Sequence, residues 1–224
     1  QIVHLCDRRF GVGSDGLILI EPHDREVFFM NFYNPDGSQS FCGNGSRCAF
    51  AFAQKLGFPA ELNFEAIDGV HDAHLTNGLV SVSMRDTNLP VIKGDELFVD
   101  TGSPHVVRLV SELDEKDLIG IARLIRYSPT FAPGGTNVNL IEIRDGSIHM
   151  RTYERGVENE TLSCGTGVTA AALVAAYENL VESGVVVHTR GGRLSVLFSQ
   201  DETGFKTIRL LGPATFVYEG EISL

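Results

Sequence analysis

Two stretches of the chain, 42–53 and 164–175, are small and apolar on every face. They read Cys-Gly-Asn-Gly-Ser-Arg-Cys-Ala-Phe-Ala-Phe-Ala and Cys-Gly-Thr-Gly-Val-Thr-Ala-Ala-Ala-Leu-Val-Ala. Such a run predicts a helix surrounded by protein and not one lying on a surface. The first helix is predicted to stop at Gly57, with Pro59 just beyond, and the second near Gly184. Each is followed by β-patterned segments: 62–68, 70–76 and 79–84 after the first, and 185–189, 194–199 and 205–211 after the second. Asn77-Gly78 predicts a two-residue hairpin turn in the first set. Both halves therefore read as a buried helix followed by an antiparallel meander. The second half has a lead-in of strands at 96–101 and 105–110 and a hairpin from Val138 to Glu154 turning at Asp145-Gly146, for which no equivalent is read in the first half. The last strand-like segment, Ala214–Ile222, is expected to return to the first half.

These patterns predict an α+β (mixed α/β) protein of two pseudo-symmetric half-domains. Each would be a largely antiparallel curved sheet wrapped around a central buried helix, over residues 1–90 plus 213–224 and residues 91–212. Gln1–Leu5 reads as the middle of an ordered segment, so a lead segment is expected before it.

Composition narrows the class. The chain has 18 basic and 29 acidic residues, a net charge of −11, and no cluster of Lys and Arg, which argues against a nucleic-acid or acidic-membrane partner. No stretch approaches the roughly 18–20 apolar residues of a membrane span. The four cysteines lack the pattern of a disulfide scaffold and no signal segment opens the chain, so a cytoplasmic protein with reduced thiols is expected.

The repeated Cys-Gly-x-Gly carries the chemistry. A thiol at its first position lies where unpaired backbone N–H groups and the positive end of a helix dipole converge, which favours the thiolate. The glycines permit close approach of a ligand, and the exposed N–H groups can hold a carboxylate. Duplication puts Cys42 and Cys164 in matching positions, whereas Cys6 and Cys48 read as small packing residues. Two matched thiols suit inversion of a stereocentre, which needs a base on one face of a carbon and an acid of similar proton affinity on the other. The carbanion would be stabilised by the helix-terminal N–H groups. No dinucleotide, phosphate-loop or metal-ligand motif is present, so neither a cofactor nor a metal is expected.

Several further motifs occur in order: Arg9-Phe10-Gly11-Val12-Gly13-Ser14-Asp15, Asn34-Pro35-Asp36-Gly37-Ser38, Cys42-Gly43-Asn44-Gly45-Ser46-Arg47-Cys48, Gly102-Ser103-Pro104-His105, Gly135-Thr136-Asn137-Val138, Tyr153-Glu154-Arg155-Gly156 and Cys164-Gly165-Thr166-Gly167. With them the chain closely resembles the diaminopimelate epimerase family. The resemblance implies interconversion of LL- and meso-diaminopimelate without pyridoxal phosphate, in the route to lysine and cell-wall precursors, by a homodimer. It implies Cys42 and Cys164 as the acid/base pair. Asn34, Gly43, Asn44, Asn137, Glu154, Arg155, Gly165 and Thr166 are implied as substrate contacts, and His105 and Glu154 as groups that tune the cysteines. The other histidines and the acidic run Glu112–Asp117 read as solvated surface.

Three features depart from the family pattern. The opening strand and its Gly-Asn-Asp-Phe turn are absent, Ser103 stands where Asn is usual, and Gly16 stands where some members have Gln. Competing readings are a proline racemase or hydroxyproline epimerase, which usually shows Cys-Gly-His-Gly at the first site where this chain has Asn44, and a non-catalytic amino-acid-binding module. A cysteine hydrolase would need a His paired with each Cys, and neither helix start shows one.

Overall fold

Both Cys-Gly-x-Gly segments begin helices, and in each case the cysteine is the N-cap residue. The computed structural model describes residues 1–222 and has the expected α+β fold. The chain divides into two units, Gln1–Val82 together with the segment from Gly212, and Ser83–Leu211.

The first unit comprises α1 (Ile2–Cys6), β1 (Leu17–Glu21), β2 (Phe28–Tyr33), α2 (Gly43–Lys55), β3 (Glu61–Ala66), β4 (Gly69–Thr76) and β5 (Leu79–Ser83). β1 and β2 form a hairpin, α2 is the crossover that makes β2 and β3 parallel, and β3, β4 and β5 form an antiparallel meander. Asn77 and Gly78 have φ of 51° and 79°, the mirror-image turn that matches strand twist. Alternate residues of the strands enter one core, where Phe28, Met30, Leu62, Phe64, Val80 and Val82 meet Ala49, Phe50 and Ala53 of α2.

Several expectations for this unit are corrected. α2 is not apolar all round: Arg47 is buried while Cys48, Phe52 and Lys55 form an exposed stripe at i, i+4 and i+7. Cys48 is therefore not a packing residue, whereas Cys6 is buried and accepts a hydrogen bond from Ser14 Oγ at 3.4 Å. Residues 214–222 do belong with this unit but form no strand. They are held by side chains, with Lys55 bonded to Glu219 and its Nζ lying 3.7 Å from the centre of the Phe216 ring. His71 is not solvated surface either; it is buried, bonded to Asp68 at 3.1 Å and stacked on Phe41.

The second unit comprises β6 (Thr87–Asn88), β7 (Val91–Lys93), β8 (Glu96–Asp100), β9 (Pro104–Leu109), a 3-10 turn (Leu113–Glu115), α3 (Leu118–Arg126), β10 (Asn137–Arg144), β11 (Ser147–Glu154), β12 (Asn159–Thr161), α4 (Gly165–Tyr177), β13 (Val185–Thr189), β14 (Gly192–Asp201) and β15 (Gly204–Gly212). The strand order is β7-β8-β9-β10-β11-β13-β14-β15, with β12 beside β11 and β6 beside β15. β9 and β10 are parallel, as are β11 and β13.

From β10 to β15 the connectivity repeats that of the first unit: hairpin, helix, parallel return and meander. The Val138–Glu154 hairpin therefore does have a counterpart, in β1 and β2. It escaped pattern reading because Leu17-Ile18-Leu19-Ile20 is a continuous apolar run without period-2 alternation. Among the described residues the first unit has no counterpart of the β8–β9 pair.

The sheet of the second unit is covered on both faces. Val106, Val138, Leu140 and Tyr153 pack against Leu118, Ala122 and Ile125 of α3. α4 lies against β8, β9, β10, β11, β13 and β14, and every residue from Gly165 to Ala176 is buried. α4 ends at Tyr177 and not near Gly184, because Asn179 takes φ of 58° and closes the last turn. The acidic run is partly structural: Asp117 caps α3 by accepting from Gly120 N at 3.0 Å, and Leu113 within the run is buried.

Because α4 is enclosed on all sides, Ala171→Leu is expected to cost about 1–3 kcal/mol of stability by overpacking. Cys48→Ser on the open stripe of α2 is expected to stay within about 0.5 kcal/mol of the parent. Urea denaturation of the two variants checks both.

Candidate active site

In the first unit the chain reaches Cys42 through a turn built by Asn34. The Asn34 amide donates to Ser38 Oγ and Ser40 Oγ, both at 3.1 Å, and Asp36 accepts from Ser38 N at 2.9 Å. Cys42 then caps α2, its sulfur accepting the N–H of Gly45 at 3.3 Å. A Cβ on Gly45 would lie 3.0 Å from the Phe32 ring and 3.3 Å from Cys42 Cβ, so glycine lets the helix start close on both. The buried Arg47 lies one turn on. Its guanidinium donates to Gly43 O at 3.2 Å, Asn44 Oδ1 at 3.0 Å and Pro213 O at 3.4 Å. Burial lowers the Arg47 guanidinium, and the nearby Cys48 and Cys42 sulfurs work against that shift. By reciprocity the guanidinium favours thiolate at Cys42. Arg47 stands two residues after the first Cys-Gly-x-Gly, and a cation at that point of a helix of otherwise small and apolar residues is its signal in the sequence.

In the second unit the polar groups come from one face of three adjacent strands. His105 opposes Asn137 in the parallel β9–β10 register, and Asn139 opposes Thr152 in the antiparallel β10–β11 register. Cys164 caps α4, but its sulfur makes no side-chain cap to the helix N–H groups. It lies instead 3.4 Å from Thr166 Oγ1. Thr166 Oγ1 is 3.0 Å from His105 Nε2, and Thr101 Oγ1 donates to Thr166 O at 2.9 Å. His105, Asn137, Thr166 and Cys164 are thus brought together around the start of α4.

The Tyr-Glu-Arg-Gly segment closes the same region. Asn137 is buried and fully engaged: its amide donates to Ser103 Oγ and Pro104 O, both at 2.9 Å, and its oxygen accepts from Arg155 N at 2.8 Å. Ser103, the departure from the family pattern, therefore braces Asn137. Glu154 accepts from Thr161 Oγ1 at 2.9 Å, and the Arg155 side chain is exposed. Glu158, which sequence reasoning did not single out, anchors this loop through Arg126, Tyr127 and Gly156 N at 2.7–3.0 Å. Burial alone would raise its carboxyl, but these donors outweigh burial and hold it at about 2.

An indentation of about 470 Å³ lined by Ala176, Asn179 and Phe198 lies at the far end of α4, roughly 18 Å from Cys164 at ~1.5 Å per helical residue, and so is separate from this chemistry. Among the described residues no group of three or more His, Cys, Asp or Glu is placed to hold a metal ion, and no helix is long and apolar enough to cross a membrane.

Comparison with known proteins gives this geometry a family. The family model described as Diaminopimelate epimerase matches residues 1–92 and 97–217. A diaminopimelate epimerase of Flavobacterium psychrophilum is 43% identical over 226 residues, covering 99% of this chain and 88% of that protein. The chain belongs to the diaminopimelate epimerase family. The Aquifex aeolicus diaminopimelate epimerase is 41% identical over 98% of this chain and 84% of its own length. Among solved structures, a phenazine biosynthesis protein of the PhzF family from Bacillus anthracis aligns with a TM-score of 0.72 at 17% identity, over 95% of this chain and 86% of that one. A hydroxyproline epimerase from Agrobacterium vitis aligns with a TM-score of 0.65 at 16% identity, over 94% and 76% of the two chains. At these identities the structural matches establish a shared fold.

His105 is the group in this diaminopimelate epimerase family member whose environment departs furthest from water. Burial, aided by the positive charge of Arg155, pushes its imidazole down to about 3 from an ordinary 6.5. Between those values the unfolded chain binds a proton that the folded chain does not, so stability falls as pH drops from 6.5 toward 3. His105→Gln is expected to remove about 1.4 kcal/mol per pH unit from that acid slope, measured by urea denaturation between pH 4 and 6. For the first unit, Arg47→Met is expected to raise the midpoint of Cys42 alkylation with pH, read by peptide mass spectrometry.

Proposed function

We propose that the protein is an isomerase that interconverts LL- and meso-2,6-diaminopimelate by two-base proton transfer without pyridoxal phosphate, in lysine and peptidoglycan precursor synthesis. Family membership over nearly the whole chain supports the reaction. The observation that carries the mechanism is that Cys42 and Cys164 each cap a helix at the start of a Cys-Gly-x-Gly segment, one in each unit. One acts as thiolate to remove the Cα proton and the other as thiol to return a proton to the opposite face. The N–H groups at the two helix starts, at Gly43-Asn44 and Gly165-Thr166, hold the α-carboxylate and absorb charge as the carbanion develops.

Asn34, Asn44, Asn137, Glu154 and Arg155 are proposed to bind the remainder of the substrate. Arg155 suits the distal carboxylate because its guanidinium offers a planar fork of donors that Lys lacks. Asn34 and Asn137 also hold internal partners, which fix the direction of their side chains. His105 and Glu154 are proposed to tune the thiols. The reading includes a cytoplasmic homodimer acting on a small molecule, with neither nucleic acid nor membrane as partner, supported by the family resemblance and the net charge of −11.

A second reading, a proline- or hydroxyproline-type epimerase, has the shared fold in its favour. Asn44 and the Glu154-Arg155 pair favour a substrate with a second polar end. Incubation with diaminopimelate in D₂O is expected to place deuterium at Cα, and Cys42→Ser and Cys164→Ser are each expected to slow turnover by about 10²–10⁴-fold. Absence of label from diaminopimelate, with label entering proline or hydroxyproline, would transfer the assignment to the second reading.

A further inference from the structure

We infer that Asn139 is a positioning residue for Cys164: it holds His105 as the Nε2–H tautomer, so that Thr166 turns its hydroxyl proton toward the Cys164 sulfur. The inference rests on the reading above in which Cys164 exchanges a proton with substrate.

The chain of donors is determined from its buried end. Val106 O can only accept, and it lies 2.9 Å from Asn139 Nδ2, which settles which end of the Asn139 amide is nitrogen. Thr152 Oγ1 donates to the other end, Asn139 Oδ1, at 2.9 Å. The second N–H of Asn139 is 3.1 Å from His105 Nδ1, so Nδ1 presents its lone pair. A neutral imidazole then carries its proton on Nε2, 3.0 Å from Thr166 Oγ1. Thr166 Oγ1 accepts that proton donor and has one proton of its own to place. Cys164 Sγ lies 3.4 Å away to receive it. Donation to sulfur favours the thiolate over the thiol.

Two further observations agree. Burial, with Arg155 adding in the same direction, keeps His105 neutral down to about pH 3, so the tautomer persists over the whole working range. A Cβ on Gly167 would lie 2.8 Å from Asn139 Oδ1 and 3.3 Å from His105 Cε1, so the second glycine of Cys-Gly-Thr-Gly is what lets these two side chains reach the helix start. The first unit has a different device, since Cys42 takes a backbone N–H from Gly45 at 3.3 Å. The two thiols are therefore tuned separately.

Alkylation by iodoacetamide across pH, followed by peptide mass spectrometry, reads Cys164 and Cys42 in the same sample. Thr166→Val is expected to raise the Cys164 midpoint by about one pH unit, near the worth of a hydrogen bond to a charged group, and to leave Cys42 unmoved. Asn139→Leu is expected to act in the same direction, and the double variant to go no further than either alone. In the unsubstituted protein, ¹⁵N-histidine NMR, with the signal assigned by its loss in His105→Gln, is expected to show His105 protonated at Nε2 and bare at Nδ1 from pH 5 to 8. This measurement tests the tautomer even where Asn139→Leu does not fold. A proton on Nδ1, a Cys164 midpoint indifferent to Thr166→Val, or a double variant whose shifts add would overturn the inference. A purely structural Asn139 would lower thermal stability without separating Cys164 from Cys42. These readouts need no substrate, so undiminished epimerase activity of Cys164→Ser would sink the functional reading and leave the tautomer result standing.

Discussion

At the start of α4 Cys164 is half-buried and the helix behind it is enclosed by protein, so the polar side chains that meet it from the sheet must find their partners within the protein. An unpaired buried polar group costs about 1–3 kcal/mol, so a helix start that meets a sheet needs a polar face on that sheet. Strands β9, β10 and β11 supply one. His105, Asn137, Asn139 and Thr152 occupy a face that would otherwise be apolar, and the opposite face of the same strands is ordinary core against α3. Small residues in α4 bring this network within hydrogen-bonding distance of Cys164, and Gly167 is the residue that its Asn139–His105 edge could not do without.

The internal repeat is conserved in connectivity and not in electrostatics. Each unit runs hairpin, helix, parallel return and meander, and each helix opens with Cys-Gly-x-Gly. At the first helix the cysteine sulfur meets a backbone N–H and a buried guanidinium, Arg47, lies one turn on. At the second, position 169 is Thr, no cation enters the helix, and a neutral histidine reaches the sulfur through a hydroxyl. An epimerase that runs in both directions needs two groups of similar proton affinity. Such a match can be reached by different local means, and the two devices here are different.

Pattern reading worked where one local rule decides the outcome. The meanders, the Asn77-Gly78 and Asp145-Gly146 turns and the two capped helix starts each follow from a few neighbouring residues. It failed where the deciding partner is distant. The β1 strand carries no alternation to read, because Leu17-Ile18-Leu19-Ile20 is apolar on both faces even though Leu19 is exposed. Cys48 reads as a packing residue because a short, mostly apolar helix does not mark its open side, and it is exposed. Asn139 was missed although two asparagines two residues apart in a β segment are a signal, since that spacing puts both on one face of a strand where Asn is unfavourable. Glu158 carries no local mark, because its partners Arg126 and Tyr127 stand 32 and 31 residues away in the chain.

What the sequence determined by itself is the family, the fold class and the placing of Cys42 and Cys164 at two helix starts, because ordered motifs and hydrophobic period are local properties of a chain. Tertiary structure decided which groups speak to each thiol. Proton placement along Asn139, His105 and Thr166 depends on side chains that lie 27 to 61 residues from one another in sequence and within about one hydrogen bond of one another in space. No local pattern encodes such contacts; strand register and the close seating of α4 create them.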